Sequence, residues 1–180
     1  DAPYKVLSNI VYRIRRPLAI IGLDKLIVGK SGTFVINPAY HIHTDFDRFE
    51  GNCRQLERTS DPDMRCALYH KAVELYKGHL LPRIEHEIWH MQLDMYYQTL
   101  YLTITKGYAR YKLERKNYTD ALREIKNAMQ LAPGDSELSM LAVLAAWYQG
   151  GRVLARRYYE AVKKYLDGDQ IIQIRTQLGF

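Results

Sequence analysis

Cysteine is scarce in this 180-residue sequence, which contains only Cys53 and Cys66. Two cysteines do not make the dense disulfide framework of a small secreted domain, and both lie in segments that predict helices. We therefore expect reduced thiols in the core of a cytoplasmic protein. No apolar run approaches the ~18 residues that a membrane-spanning helix needs. The N-terminus also lacks the basic, apolar and small-residue order of a secretory signal.

The composition nevertheless supplies enough apolar material for a core. Hydrophobic residues make up 47% of the chain and charged residues 26%, which is usual for a soluble protein. The net charge of +6 is uneven, because residues 1–36 hold six basic and two acidic residues, a net charge of +4. Such a concentration is typical either of a surface that contacts nucleic-acid phosphates or of a solvated basic face.

A repeat organises the second half of the sequence. In residues 117–133, Ala121, Ile125 and Ala128 share one helical face in a small-large-small order that lets a neighbouring helix approach closely. Pro133 then ends the helix. The same positions return thirty-four residues later, as Ala155, Tyr159 and Val162. This interval resembles the tetratricopeptide period, with further matches at Tyr118 and Ala109 and a departure at Lys112.

Helical signals dominate from His43 onward. Thr44-Asp45-Phe46-Asp47 and Asp61-Pro62 are typical helix starts. A long helix is predicted from Ile84 to about Arg115, with an inward stripe that includes Trp89, Leu93, Tyr96, Leu100, Ile104, Tyr108 and Tyr111. Gly107 in that helix indicates close packing. Shorter helices are predicted over residues 118–131, 135–148, 152–166 and 169–178, with breaks at Pro133-Gly134, Gly150-Gly151 and Gly168.

The N-terminal part begins with a predicted helix over residues 4–21. Its apolar residues recur every four positions, at Val6, Ile10, Ile14 and Leu18. The opposite face carries Asn9, Tyr12, Arg13 and Arg16. We expect Pro17 to end or kink this helix near Arg16.

Two short strands follow, at residues 26–28 and 33–36, and residues 29–32 form the turn of a predicted β-hairpin. Gly29-Lys30-Ser31 is similar to the end of a phosphate-binding loop, but that motif needs glycine where Asp24 stands, so this interpretation fails.

The arginine-rich helix followed by a basic hairpin resembles the recognition helix and wing of response-regulator-type winged helices. The two helices that precede a recognition helix are not found in this sequence. The resemblance implies that Ser8, Asn9, Tyr12 and Arg13 approach the major groove of DNA. It also implies that Arg15, Arg16 and Lys30 contact phosphates or the minor groove. The alternative for these arginines is that they form ion pairs with carboxylates of the same domain.

A second resemblance covers essentially the whole chain. It is carried by residues 45–49 (DFDRF), residues 72–82 (AVELYKGHLLP), Trp89, the repeat and the Gly32–Ile36 strand. These residues resemble the bacterial transcriptional activator domain of Streptomyces antibiotic regulatory protein-type regulators. The resemblance implies transcription activation, with a helical domain for oligomerisation or protein contact. It also implies that Trp89 lies in the core while His86 and His90 lie at the surface.

One motif points to a different class of function. His86-Glu87-Ile88-Trp89-His90 is a literal HExxH, which on a helix places both imidazoles on one face for zinc with Glu87 as general base. Glu114 and Glu124 are sequence candidates for a third ligand. We expect incidental metal binding by His86 and His90 rather than catalysis, because a zinc protease also needs a sheet beside this helix.

Two further surfaces have open interpretations. Tyr96, Tyr97, Tyr101, Tyr108 and Tyr111 either fill the core or line a concave groove for peptides. Arg152, Arg156, Arg157, Lys163 and Lys164 form a predicted basic face, which is either solvated or a contact for nucleic acid or an acidic segment.

Together these observations predict a mainly α chain. Residues 1–38 are expected to be the C-terminal part of a winged helix, and residues 39–180 a tetratricopeptide-like array. The expected partners are DNA, a protein such as transcription machinery or an upstream regulatory domain, and a second copy in a homo-oligomer. We expect no cofactor and no enzymatic activity. The alternative is a protein-interaction module that does not bind DNA.

Overall fold

The computed structural model describes residues 2–84 and 87–179. Contacts between Cα atoms divide the chain into two compact units, residues 1–43 and residues 44–180. The first unit contains one helix and a two-stranded sheet, and the second is built of helices. The mainly α fold class predicted from the sequence is therefore confirmed.

Helix α1 spans Ala2–Ile20 and contains Pro17. We predicted that this proline ends or kinks the helix near Arg16; it does not end the helix, which continues to Ile20. Proline removes only one backbone donor, so the surrounding helical hydrogen bonds can carry the helix past it. The chain turns at Gly22, whose φ of +74° is accessible to glycine at little cost.

The hairpin consists of β1 (Ile27–Lys30) and β2 (Thr33–Ile36), which pair antiparallel with Ile27 opposite Ile36 and Lys30 opposite Thr33. The turn is shorter than predicted and contains only Ser31 and Gly32. Both have positive φ, at 50° and 79°, the backbone that matches the twist of a tight hairpin. Lys30 therefore ends a strand beside the turn.

The second unit contains α2 (Asp45–Arg58), α3 (Pro62–Leu75), α4 (Ile88–Glu114), α5 (Tyr118–Leu131), α6 (Ser136–Val162), a 3₁₀ turn (Lys163–Tyr165) and α7 (Gly168–Leu178). Local capping explains the helix starts that the sequence predicted. The Thr44 side chain accepts from the Asp47 N–H while the Asp47 carboxylate accepts from the Thr44 N–H, a reciprocal capping box. Asp61 caps α3, with proline at its first position.

The repeat positions form the centre of the packing. Ala109, Ala121, Ile125 and Ala128 have no exposed surface, and Ala109, Ile125 and Ala128 belong to a core that joins α2 through the first half of α6. The small residues let α4 and α5 approach closely, as the small-large-small pattern predicts. The predicted close packing at Gly107 is confirmed, because a Cβ there would lie 2.8 Å from the Tyr69 hydroxyl oxygen.

The positions one period later form a second, smaller core. Ala155, Tyr159 and Val162 are buried together with Val143, Leu166, Ile174 and Leu178. Helix α6 changes direction at Gly151, where φ is 66° and ψ is −161°, so the predicted break at Gly150-Gly151 is present as a kink. Among the described residues, no helix is long and apolar enough to cross a membrane.

Candidate nucleic-acid interface

One face of α1 is polar and open to solvent. Asn9, Tyr12, Arg13 and Arg16 are exposed, and Tyr12 keeps 64% of its surface accessible. Positions 9, 12, 13 and 16 lie three and four residues apart, so they share one side of the helix. Lys5 is exposed one turn before Asn9 and extends this face. Lys5 was not among the contact residues predicted from the sequence, although its spacing of four from Asn9 indicates that it shares their face.

Arg15 points in a different direction from its neighbours. It is half-buried, and its Nε and Nη2 both donate to the backbone carbonyl oxygen of Ile27, at 3.0 and 2.6 Å. The guanidinium therefore links α1 to β1 of the hairpin. Ser8 is also half-buried, which leaves it less accessible than Asn9 beside it.

A groove of about 480 Å³ runs between α1 and the hairpin; Arg15, Arg16 and Lys25 line it together with Tyr12 and one acidic residue, Asp24. At the far end of the hairpin, Lys30 is exposed. The groove and the hairpin end thus carry basic side chains from both elements of this unit. Such an arrangement suits an anionic polymer, because phosphate contacts come from dispersed Lys and Arg side chains.

The apolar row of α1 does not lie in a core. Val6, Ile10 and Ile14 are 60%, 47% and 42% exposed, whereas Val11 is buried and Tyr4 stacks on Phe34 of β2. The side of α1 that packs within this unit is therefore turned away from the row that periodicity predicts. An exposed row of this kind is typical of a surface that another protein segment covers.

The described part of the HExxH segment does not lie within one helix. Helix α4 begins at Ile88, and Glu87 has an extended backbone with φ −87° and ψ 125°, so the continuous helix expected from Ile84 is wrong. His86 lies outside the described residues. His90 is 7% exposed, and its Nε2 contacts the Leu80 carbonyl oxygen. Trp89 is 48% exposed, so the predicted positions of Trp89 and His90 are reversed.

The proposed third ligands do not complete a metal site. Glu114 ends α4, twenty-four residues after His90, which is about 36 Å along the helix axis. Glu124 lies on α5 and accepts hydrogen bonds from Arg123. No cluster of three or more metal-ligating side chains is present in the part of the chain that the structure describes.

The tyrosines divide between the two interpretations. Tyr101 and Tyr108 are buried, and Tyr97 packs on Phe46 and Phe49. Tyr111 donates from its hydroxyl to the Pro62 carbonyl at 3.2 Å. Tyr96 is exposed. Core filling thus accounts for Tyr97, Tyr101 and Tyr108, while Tyr108 and Tyr111 also border a groove between α3 and α5.

The predicted basic face late in the chain is partly engaged within the protein. Arg152 donates to the Gly179 carbonyl at 2.7 Å, and Lys163 pairs with Glu160 at 2.6 Å. Lys164 lies over the Tyr165 ring. Arg156 and Arg157 remain exposed, so the open part of this face is smaller than its composition indicates.

Comparison with family models decides the identity of the helical unit. The model of the bacterial transcriptional activator domain matches residues 44–171. The chain belongs to this family. Bacterial transcriptional activator domains belong to transcription regulators and are not an enzyme family. A comparison with curated proteins finds no match. The match begins at the first helix cap, Thr44, and covers α2 to α6 and the start of α7, so it includes the larger core and all of the smaller core except Ile174 and Leu178.

Proposed function

We propose that the chain regulates transcription by docking α1 and the hairpin on DNA while the helical unit contacts another protein. That protein is a component of the transcription machinery or an upstream regulatory domain. The observation that supports the proposal is the open polar face of α1 (Asn9, Tyr12, Arg13 and Arg16) beside a hairpin held by Arg15. Membership of the bacterial transcriptional activator domain family supports the regulatory role.

The chemistry of these side chains suggests which of them contact the bases of DNA and which contact its phosphates. Asn9 and Arg13 have the donor and acceptor groups that read adenine and guanine in the major groove, and Tyr12 offers a hydroxyl and a ring. Ser8 supplies a hydroxyl at the edge of the same face. Arg16 and Lys30 are suited to phosphates, which fix the register of the helix on DNA without reading sequence. Arg15 holds the hairpin so that Lys30 and Arg16 reach the same DNA segment, and its remaining Nη1 is available to a phosphate.

The test is fluorescence anisotropy of labelled duplex DNA against the chain over a salt series. An Arg13→Ala/Arg16→Ala variant is compared with an Arg156→Ala/Arg157→Ala variant, which removes the same charge from the helical unit. If α1 contacts DNA, the first variant loses affinity and flattens the dependence of log K on log salt by up to about 0.9 per lost phosphate contact. The second variant then behaves like the unmodified chain.

A different outcome supports the second candidate function. If the unmodified chain does not bind DNA at low salt, the N-terminal unit is a protein-interaction element. The exposed row of Val6, Ile10 and Ile14 favours this candidate, because an apolar helix face is a typical protein contact. Equal losses of affinity in both variants would instead indicate non-specific attraction by the net charge of the chain.

A further inference from the structure

The first half of α4 exposes an unusual amount of apolar surface. Six side chains in nine residues are between 43% and 74% exposed, namely Ile88, Trp89, Met91, Leu93, Met95 and Tyr96. We call these six residues the α4 patch. Scattered exposed apolar side chains are normal, but a contiguous group of this size is typical of an interface.

The rest of the same helix is different. The exposed positions of α4 beyond the patch are polar, as at Thr99, Thr103 and Arg110. Apolar exposure is therefore confined to one segment of α4. It begins where the helix begins and ends before the part that packs against α5.

Polar contacts on the inner side of α4 fix the orientation of the helix so that the patch faces solvent. The Asp94 carboxylate accepts from the Leu80 N–H at 2.7 Å and lies 2.7 Å from Nδ1 of His79. His90, one turn earlier, contacts the Leu80 carbonyl. His90 and Asp94 thus fix which side of the helix faces the protein, and the apolar side chains between them face solvent.

The polarity of the segment is symmetric about Gln92. Counting outward from Gln92, the pairs are Met91 with Leu93, His90 with Asp94, Trp89 with Met95 and Ile88 with Tyr96. Every pair is apolar and exposed except the His90–Asp94 pair, which faces inward. A sequence with this symmetry is complementary to itself when two copies meet antiparallel, because each end of the segment then faces the opposite end.

The geometry of an antiparallel helix pair identifies the contacts. A two-fold axis beside Gln92, perpendicular to the plane of the two helices, places Tyr96 of the second copy at the level of Ile88 and Met95 of the second copy at the level of Trp89. Ile88 and Met95 lie on the same side of this interface and differ in level by only one residue, about 1.5 Å, so Ile88 would pack beside Met95 of the second copy and, for the same reason, Trp89 beside Tyr96. Both contacts are formed twice, once on each side of the axis.

The available area is sufficient for a specific contact. Half-exposed side chains of this size offer on the order of 100 Å² each, so the patch provides about 600 Å² per copy. Two copies would bury about 1,200 Å² in total, which is the lower limit of stable protein interfaces.

We infer that the α4 patch is the contact by which two copies of this chain pair antiparallel about Gln92. The inference concerns the helical unit alone and holds whether or not the N-terminal unit binds DNA. A second copy is already among the partners expected from the sequence, and the inference assigns the surface that binds it.

The experiment is sedimentation velocity of the chain from roughly 1 to 100 µM, the range in which interfaces of this size associate. The unmodified chain is expected to form a dimer. Ile88→Glu and Met95→Lys each place a charge in an apolar contact, so each variant is expected to weaken dimerisation by roughly 100-fold or more. Val153→Glu is the matched control, because Val153 is 71% exposed on α6, outside the patch, and this variant should dimerise normally.

Mixing the two variants tests the arrangement itself. In a mixed dimer, the carboxylate introduced by Ile88→Glu in one copy meets the ammonium introduced by Met95→Lys in the other, while the second contact remains Met95 with Ile88. The mixture should therefore form a heterodimer although neither variant forms a homodimer. A mixture that stays monomeric would overturn the antiparallel arrangement.

Two further results would overturn the inference as a whole, namely a monomeric unmodified chain or a dimer that survives Ile88→Glu. Circular dichroism and thermal melting of each variant identify any loss of folding, so that a folded monomeric variant can be told from an unfolded one.

Discussion

Arg15 and Ile27 are joined by two hydrogen bonds to a single oxygen, because Nε and Nη2 of the guanidinium both donate to the same backbone carbonyl. This contact connects the helix and the hairpin of the N-terminal unit, twelve residues apart in sequence. It gives Arg15 a structural role that Arg13 and Arg16, on the open side of α1, do not share.

Arg15→Ala is expected to destabilise the N-terminal unit by about 1–3 kcal/mol, because it removes charge-assisted hydrogen bonds to a half-buried carbonyl. Arg16→Ala should leave stability nearly unchanged. In DNA-binding assays, Arg16→Ala should flatten the salt dependence by about 0.9, while Arg15→Ala lowers affinity at every salt concentration. The loss of stability caused by Arg15→Ala is measured by chemical denaturation, with hydrogen exchange of the α1 amides as the signal. Equal stability of the two variants would remove the bracing role of Arg15.

Gly107→Ala is expected to destabilise the helical unit by about 1–3 kcal/mol through overpacking. The added Cβ would lie 2.8 Å from the Tyr69 hydroxyl oxygen and 3.2 Å from its ring. Tyr69 is buried and stacks on Tyr108, so its ring has little room to move. The control is Gly51→Ala on α2, where the added methyl meets no atom within 4 Å. That variant should gain up to about 1 kcal/mol in helix propensity. Urea denaturation of both variants measures the difference.

Asp94→Ala is expected to cost about 1–3 kcal/mol at neutral pH, because it leaves the Leu80 N–H without its acceptor. Burial raises the pKa of Asp94, but hydrogen bonds from His79 and the Leu80 N–H outweigh it and lower the pKa below its usual 3.8. The stabilisation that comes from the ionised Asp94 carboxylate is therefore complete above about pH 3.8, the usual pKa of the group. It is lost as the pH falls through the lower pKa of the folded state. The destabilisation caused by Asp94→Ala should accordingly shrink in strong acid to the part that comes from the neutral carboxyl, which still accepts from the Leu80 N–H. A constant difference between the two proteins at all pH values would contradict this assignment.

The two thiols should react at very different rates. Burial, together with the nearby carboxylates of Glu50 and Glu57, raises the pKa of Cys53 to about 12. The reactive thiolate is therefore scarce at Cys53, whereas Cys66 is only partly buried. At about pH 8, near the ordinary pKa of a thiol, a thiol reagent should label Cys66 in the native protein and Cys53 only after unfolding. Cys66→Ser should abolish native labelling, and Cys53→Ser should preserve it. Rapid labelling of the Cys66→Ser variant would show that the α2 thiol is accessible.

Local signals in the sequence were sufficient for much of the helical unit. The caps at Thr44 and Asp61 depend on side chains within three residues of the helix start, so the sequence alone specifies them. The small residues of the repeat identify the core for a similar reason, because Ala121 and Ala128 act through their size at a fixed spacing. These features predicted the order of the elements, and the repeat was one of the features that carried the family resemblance.

The first half of α4 was predicted less well, because its orientation depends on contacts that are distant in sequence. Apolar residues occur on nearly all sides of the Ile88–Tyr96 segment, so periodicity does not identify an inner face. The inner face is set by His90 and Asp94, which bind the backbone of Leu80 ten and fourteen residues earlier. The reversal of Trp89 and His90 follows from these polar contacts. The symmetry about Gln92 is present in the sequence, but it can be interpreted only when the burial of each side chain is known from the structure.

The two cores of the helical unit meet at a narrow seam. Among the described residues, the partly buried Met129 and Tyr158 are the side chains that pack against both clusters. The kink at Gly151 divides α6 into a first half, which contributes Val143 to the smaller core, and a second half, which contributes Ala155, Tyr159 and Val162. Repeat architectures transmit stability from neighbour to neighbour rather than through one shared interior. We therefore expect the segment from Gly151 to Leu178 to open at a lower free energy than the larger core, which hydrogen exchange of its amides would measure.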